Sequence, residues 1–316
     1  YRDIIVDGQF TNLVFNGDIS IADTNINLDF AGMMDFREEI PKLIAHSEIR
    51  HLNLAELNIL PQDTFGVYKG TVDINLNGGI RRELNGRLVL KDASYESNTD
   101  KIELKEFVIN DRIIKAGHDI EIESDYFTAK VIGRTSLLEA PYAFLQVGNK
   151  YLPAFIPKIT NNEIDTLQDF MFEFVVANDK DLTRFISKDL VLKDPIHING
   201  SLDMKGNLFT LKSDSMSWGY ADFKFDKNMI EVYPLNQDLV VKTFVGKTEL
   251  ISNYSLAALQ ATAKVRHDSV LLKTDWVGAS ELSDKGSFGV VLYRTDLMPW
   301  NMPVSYTHLT LPTKRI

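Results

Sequence analysis

Six histidines, His46, His51, His118, His197, His267 and His308, are the side chains of this sequence best suited to proton transfer or metal ligation. They stand isolated, without paired ligand spacing, and no H-E-x-x-H occurs. The run Arg266-His267-Asp268-Ser269 holds the residue types of a nucleophilic triad. It falls at the edge of an alternating segment, where neighbours on a strand point to opposite faces, so it reads as a solvated strand end. With no cysteine there is no disulfide, thiolate zinc site or cysteine nucleophile. G-x-x-x-x-G-K-[ST], G-x-S-x-G and G-x-G-x-x-G are also absent. Asp73, Glu103, Glu121 and Glu123 alternate with apolar neighbours and read as a soluble strand face that guards against edge pairing. No catalytic residue, metal or cofactor is expected from these patterns.

Composition narrows the partners. The chain has 316 residues, 44% hydrophobic and 25% charged, enough apolar surface to build a folded core. Lys plus Arg number 34 against 44 Asp plus Glu, a net charge of −10, which disfavours nucleic acid because that partner needs a basic footprint. No run approaches the roughly 18 apolar residues of a membrane-spanning helix, and no signal-peptide pattern opens the chain.

The elements that would position any site are strands. In TVDINLN, Val72, Ile74 and Leu76 share one face while Asp73 and Asn75 take the other. The same two-residue beat returns in Ile102 and Leu104, Ile120 and Ile122, Ile196 and Ile198, and Phe223 and Phe225. Short turn signals such as NGD, ADTN, NGG, ESD and FDKN separate the runs. Helical turns are expected within Ser136 to Pro157, where Leu138, Tyr142, Leu145 and Leu152 are interrupted by prolines. A brief helix is expected around Asp181 to Leu190, and a third helical stretch within Leu52 to Leu60. Trp218, Trp276, Trp300, Phe155 and Phe174 read first as packing residues and second as a groove lining.

Alternation with an aliphatic face and charged turns predicts an all-β protein, mainly antiparallel, with a few short helices. An outer-membrane barrel would instead need an uncharged outer band with aromatic girdles. The segments are 1–135, a first β segment; 136–160, a helical interruption; 161–303, a second β segment; and 304–316, VSYTHLTLPTKRI. The first ten residues of that last stretch match one reading frame of a transposase adapter, so it reads as a non-native scar. Opening at Tyr1 in mid-pattern, the chain reads as an internal fragment ending near Pro303.

The stretch GQFTNLVFNGDISIADTNINLDFAGMMDFREEIPKLIAHSEIRHLNLAELNIL resembles the repeating segment of the TamB family, the translocation and assembly module proteins, in its Bacteroidetes form. Gly17, Asn27, Leu28, Phe30, Gly32, Asp35, Phe36, Leu54 and Leu57 stand at the pattern positions. GTVDINLNGGIRRELNGRLVLKDASYES is similar to the next unit, and Ser124, Asp125, Tyr126, Val131 and Gly133 continue it. LLKTDWVGASELSDKGSFGVVLYRT resembles a later strand pair, departing at Gly278, where the family often has Asn.

This resemblance, shared more widely with AsmA-like and bridge-like lipid-transfer proteins, implies an elongated sheet curled into a U-shaped apolar groove, the β-taco. It implies an inner-membrane-anchored protein crossing the periplasm to an Omp85-family barrel of the TamA or BamA type. The implied function is non-catalytic: phospholipid acyl chains ride along the groove in support of outer-membrane biogenesis. The groove lining would be Val72, Ile74, Leu76, Ile102, Leu104, Ile120, Ile122, Ile196, Ile198, Phe223 and Phe225. An alternative is an assembly factor whose sheet edge pairs with a barrel partner by strand addition. A third reading, an adhesin or carbohydrate-binding β-solenoid, would put polar and aromatic residues on a concave face.

Overall fold

The computed structural model describes residues 3–57, 66–79, 84–97, 101–156, 167–251, 254–279, 285–295, 298–301 and 304–310. The protein is all-β, 70% strand and 7% helix, and its antiparallel sheet is not closed. Two units divide the chain, Tyr1–Leu138 with Arg184–Ile186, and Glu139–Thr183 with Ser187–Ile316.

In the first unit the strands are β1 (Ile4–Thr11), β2 (Val14–Ala22), β3 (Ile26–Asp35), β4 (Lys42–Asn53), β5 (Val67–Asn77), β6 (Asn85–Glu96), β7 (Lys101–Ile114), β8 (Gly117–Ser124) and β9 (Phe127–Arg134). Each pairs antiparallel with the next in chain order. Short turns make this meander possible. Between β1 and β2 the loop is only Asn12-Leu13, both with positive φ (51° and 61°), the two-residue geometry whose twist matches antiparallel strands. The helical stretch expected within Leu52 to Leu60 is instead strand up to Asn53 followed by a turn. There the Asn53 side-chain oxygen accepts from the Ala55 and Glu56 amides at 3.2 and 3.1 Å and its carbonyl from the Leu57 amide at 3.2 Å, a capped turn. Asn58, Ile59 and Leu60 of that expectation lie outside the described residues.

Close strand approach on the apolar face depends on glycine. Gly17 and Gly32 face one another across β2 and β3. A Cβ on Gly32 would lie 2.2 Å from the Ile44 carbonyl oxygen and 2.7 Å from the Ala45 Cα; one on Gly17 would lie 2.5 Å from the Gly8 Cα. The neighbouring backbones occupy the space a side chain would need, so the strands pack closely along this row. Gly32→Val is expected to cost about 1–3 kcal/mol, because backbone must move to admit it. A lower urea midpoint checks this, and an unchanged midpoint would mean the strands separate there freely.

The second unit begins with α1 (Ala140–Tyr151) and continues with β10 (Asp169–Val176), the start of α2 (Lys180–Ile186), whose Arg184–Ile186 belong to the first unit, β11 (Leu190–Leu192), β12 (Ile196–Asp203), β13 (Leu208–Ser213), β14 (Met216–Tyr220), β15 (Phe223–Leu235), β16 (Asp238–Ile251), β17 (Tyr254–Arg266), β18 (Ser269–Gly278), β19 (Lys285–Thr295), β20 (Met298–Asn301) and β21 (Val304–Thr310). The ladder runs β10, β12, β13, β15 and then in order to β19. β14 joins β11 to β15, and β20 and β21 both pair with β19. The segment that reads as a scar therefore includes a strand.

Both helices follow local rules, with boundaries that differ from those the sequence suggests. In place of broken helical turns between Ser136 and Pro157, a single helix of 12 residues forms. Pro141 sits in its first turn, where no amide hydrogen is needed, and Pro153 lies beyond its end. Asp179 caps α2 by accepting from the Asp181 and Leu182 amides at 2.7 and 3.1 Å. That helix stops at Ile186 rather than reaching Leu190, because Leu190 enters β11 opposite Tyr220.

Candidate functional site

One face of the first unit's sheet is mainly apolar, with Ser47, Asp111 and His118 among its polar members. Cross-strand register places Phe10, Phe15, Met34, Leu43 and Leu76 in one row. The next rows hold Ala45, Ile74, Leu88, Ile109, Ile122 and Ala129, and then Val6, Ile19, Phe30, Ser47, Val72, Leu90 and Phe107. Ile120 pairs with Val131 on the same face.

Ile102 and Leu104 reach this face by a phase change. On β7 they have the opposite parity to Phe107 and Ile109, and strict alternation would turn them outward. Lys91-Asp92 on β6 and Lys105-Glu106 on β7 are each consecutive exposed pairs, directly across from one another. Asp92 takes a positive φ of 48°, and the β5–β6 register shifts by one residue beside it. A bulge of this kind inserts an extra residue, so the face flips in both strands. Leu104 then lies opposite Ala93, and Ile102 opposite Tyr95.

In the second unit the same rule puts Phe170, Phe172, Phe174 and Val176 opposite Leu202, Gly200, Ile198 and Ile196. The row continues through Leu211, Val232, Val241, Ala263, Leu272 and Val290. Phe223 and Phe225 lie opposite Tyr220 and Trp218, and the Phe225 and Trp218 rings stack at 4.4 Å. Val72, Ile74, Leu76, Ile102, Leu104, Ile120 and Ile122 thus lie in rows of the first unit's face and Ile196 and Ile198 beside the second unit's row, whereas Phe223 and Phe225 have the opposite parity to Val232 on their own strand. Of the aromatics, Phe174 packs in a ring cluster and Trp276 lies against Phe288 at 5.9 Å. Phe155 is exposed, and the Trp300 side chain is outside the described ones.

These faces are incompletely covered. Phe10 remains 63% and Val6 58% exposed, and Val72, Ile74 and Leu76 are half-buried.

The opposite face is solvated and laced with ion pairs. His46 Nδ1 lies 2.7 Å from Asp73 Oδ1. Arg112 meets Asp119 at 2.8 Å and Glu121 at 3.1 Å, and Lys130 meets Glu121 at 2.8 Å. In the second unit Lys224 and Lys247 both reach Glu249 and hold its pKa down at about 2. The four carboxylates read as a soluble face are all on this side or at its margin. His197 bridges Asp214 at 2.7 Å and Glu173 at 2.8 Å, and the two carboxylates, Asp214 foremost, raise its pKa above 6.5.

A raised His pKa in the folded state gives stability that is complete below the unfolded value of about 6.5 and is lost as pH rises through the folded value. Thermal stability of the wild type is therefore expected to fall more between neutral and mildly alkaline pH than that of His197→Asn. An NMR titration of the ring that centres at or below the free value would contradict the account.

Two features escape a reading of the sequence alone. Asp111 and His118 form a buried pair at 2.7 Å, each 4% exposed, on the apolar face beside Ile120. Their parity with Ile109 and Ile120 is the available signal. The second is the apolar contact that α1 makes with β10 and β13 through Phe144. By contrast, Arg266-His267-Asp268-Ser269 is a tight hairpin turn: His267 and Asp268 have φ of 43° and 59°, and Arg266 pairs with Ser269. Ser269 Oγ donates to the Arg266 carbonyl, so the group closes a turn rather than assembling a triad. Among the described residues no cluster of three or more His, Asp or Glu is placed to hold a metal, and no helix is long and apolar enough to cross a membrane. No family profile, characterised protein or solved structure matches this chain.

Proposed function

We propose that this chain is a non-catalytic, lipid-carrying segment of a cell-envelope protein of the TamB and AsmA-like type. Its apolar faces hold phospholipid acyl chains in passage between inner and outer membranes, while headgroups ride in solvent. An Omp85-family barrel would be the partner at the outer membrane. The observation that carries this reading is the mainly apolar face that continues across successive antiparallel strands, left half-exposed. Exposed apolar surface of that extent needs a cover, and acyl chains offer one without any specific polar contact. Each methylene moved from water onto such a face contributes about 0.8 kcal/mol, so a tail stays on the path and leaves only at an end. Nothing in this process requires a covalent step or a metal.

The test is mass spectrometry of organic extracts from the chain exported to a bacterial periplasm and purified without detergent. Phospholipid in excess over a β-rich control is the expected result. A lipid-free, soluble protein would overturn the reading in favour of faces that cover one another.

A further inference from the structure

The second unit's sheet is not simply polar on the side opposite its apolar row. Pairing in β17 to β19 keeps one register along the stretches that hold Lys264, Leu271 and Val291, so these three share a side and Val265 and Val290 take the other. Val265 and Val290 are each only 8% exposed. Leu271 and Val291, directly across from one another, are 48% and 38% exposed, and Tyr293 on the same side is 36% exposed. The outward side of these strands therefore leaves large apolar side chains in water, whereas the inward side covers its own.

Lysines interleave with them. One cross-strand row on the outward side reads Lys212, Glu231, Lys242, Thr262 and Lys273, and the row beside it reads Val240, Lys264, Leu271 and Val291. Four lysines thus stand with one carboxylate, in a chain whose net charge is −10. Lys212 meets Glu231 at 3.2 Å, and the Lys242 ammonium lies 5.2 Å from the centre of the Tyr233 ring. Lys264 and Lys273, the two nearest Leu271, meet no carboxylate among the described residues. In the flanking rows Asp238 is held by Arg266, and Asp275 lies between Gln260 and Ser287.

This mixture selects its occupant. The centres of protein interfaces are depleted in Lys and enriched in Arg, and here the unpaired cations are lysines. A bilayer with anionic headgroups takes both kinds of side chain without directional contacts. Ammonium groups on long apolar stems reach the phosphates, while aliphatic side chains and a tyrosine ring enter the boundary between headgroups and acyl chains.

We propose that the outward side of β17 to β19 is a docking surface for an anionic phospholipid bilayer, with Lys264 and Lys273 as its charge contacts and Leu271 and Val291 as its inserted pair. Docking is separate from the carrying of acyl chains, because these side chains leave the other side of the sheet.

The test is flotation of the full chain with vesicles of phosphatidylglycerol and phosphatidylethanolamine, and with vesicles of phosphatidylcholine alone. Binding to the anionic vesicles only is the expected result, weakened by high salt because exposed charges are screened. Lys264→Glu with Lys273→Glu is expected to weaken it at least roughly ten-fold, and the neutral Lys264→Gln with Lys273→Gln by a smaller factor. Leu271→Ser with Val291→Ser should weaken it roughly three-fold or more, through lost insertion. Lys105→Glu with Lys115→Glu makes the same change in net charge at exposed positions of the first unit and is expected to bind as the wild type does. Circular dichroism checks that each variant is folded. A wild type that does not float, equal flotation with neutral vesicles, or equal binding by the two charge-reversed proteins overturns the docking surface. Phospholipid kept by the protein after the vesicles are removed reads the carrying faces in the same samples, and the Lys264 and Lys273 variants are expected to leave it unchanged. Its loss together with flotation would assign the binding to the carrying faces and overturn the proposal.

Discussion

Ile74→Arg is expected to strip phospholipid from the full chain while leaving it folded. Ile74 sits in the row between Ala45 and Leu88, half-buried in the middle of the first unit's apolar face. Losing its contact with a tail removes about 1.5–3 kcal/mol. A guanidinium placed there also meets hydrocarbon without a partner, which costs several kcal/mol more. Together these lower retained lipid by at least roughly ten-fold. Asn75→Arg is the control, since the neighbouring side chain is exposed on the opposite face of the same strand. Leu104→Asp should reproduce the loss from β7, across the phase change. Circular dichroism reports folding and lipid mass spectrometry reports loading; equal loading of the Ile74 and Asn75 variants would show that this face does not contact lipid.

Stability should respond most to the buried pair. His118→Ala leaves the Asp111 carboxylate in an apolar setting, where Oδ2 already has no hydrogen-bond partner. Breaking a buried pair in this way costs about 3–5 kcal/mol, because the remaining group keeps its desolvation penalty without its partner. Replacing both residues, Asp111→Leu with His118→Leu, should recover most of that loss, since no polar group is then stranded. Urea unfolding followed by hydrogen exchange at β7 and β8 measures both. A single variant as stable as the wild type would show that the pair is replaceable, and a double variant no better than the single would assign the loss to packing.

The strands and the apolar face are legible because the signal is local. Ile120, Ile122, Ile196 and Ile198 announce a period of two within a few residues, and that period alone decides which side chains share a face. The same parity places Asp111 and His118 among apolar neighbours, but pairing the two needs the β7–β8 register. Ile102 and Leu104 fall on the correct face only because the register shifts beside Asp92 on β6, opposite Lys105 and Glu106 of β7. That shift is not written in the periodicity of β7. The helix lies near its expected position, yet Leu138 and Leu145, two of the residues that suggest it, are exposed. Ala143 and Phe144 make the contact instead, because the facing rings of Phe170, Phe172 and Phe209 select the helix face.

By itself the sequence determined an all-β chain of short-turned antiparallel strands, one apolar face per strand, and the absence of the tested catalytic motifs. Alternation, turn residues and composition act over a few positions, and their physics needs no distant partner. Tertiary structure alone decided how closely the strands approach at Gly17 and Gly32, where a buried Asp–His pair interrupts the first unit's face, and which part of the second unit's face α1 occupies. These depend on register and on the surfaces that strands far apart in sequence bring together, and such contacts are set by the fit of whole elements.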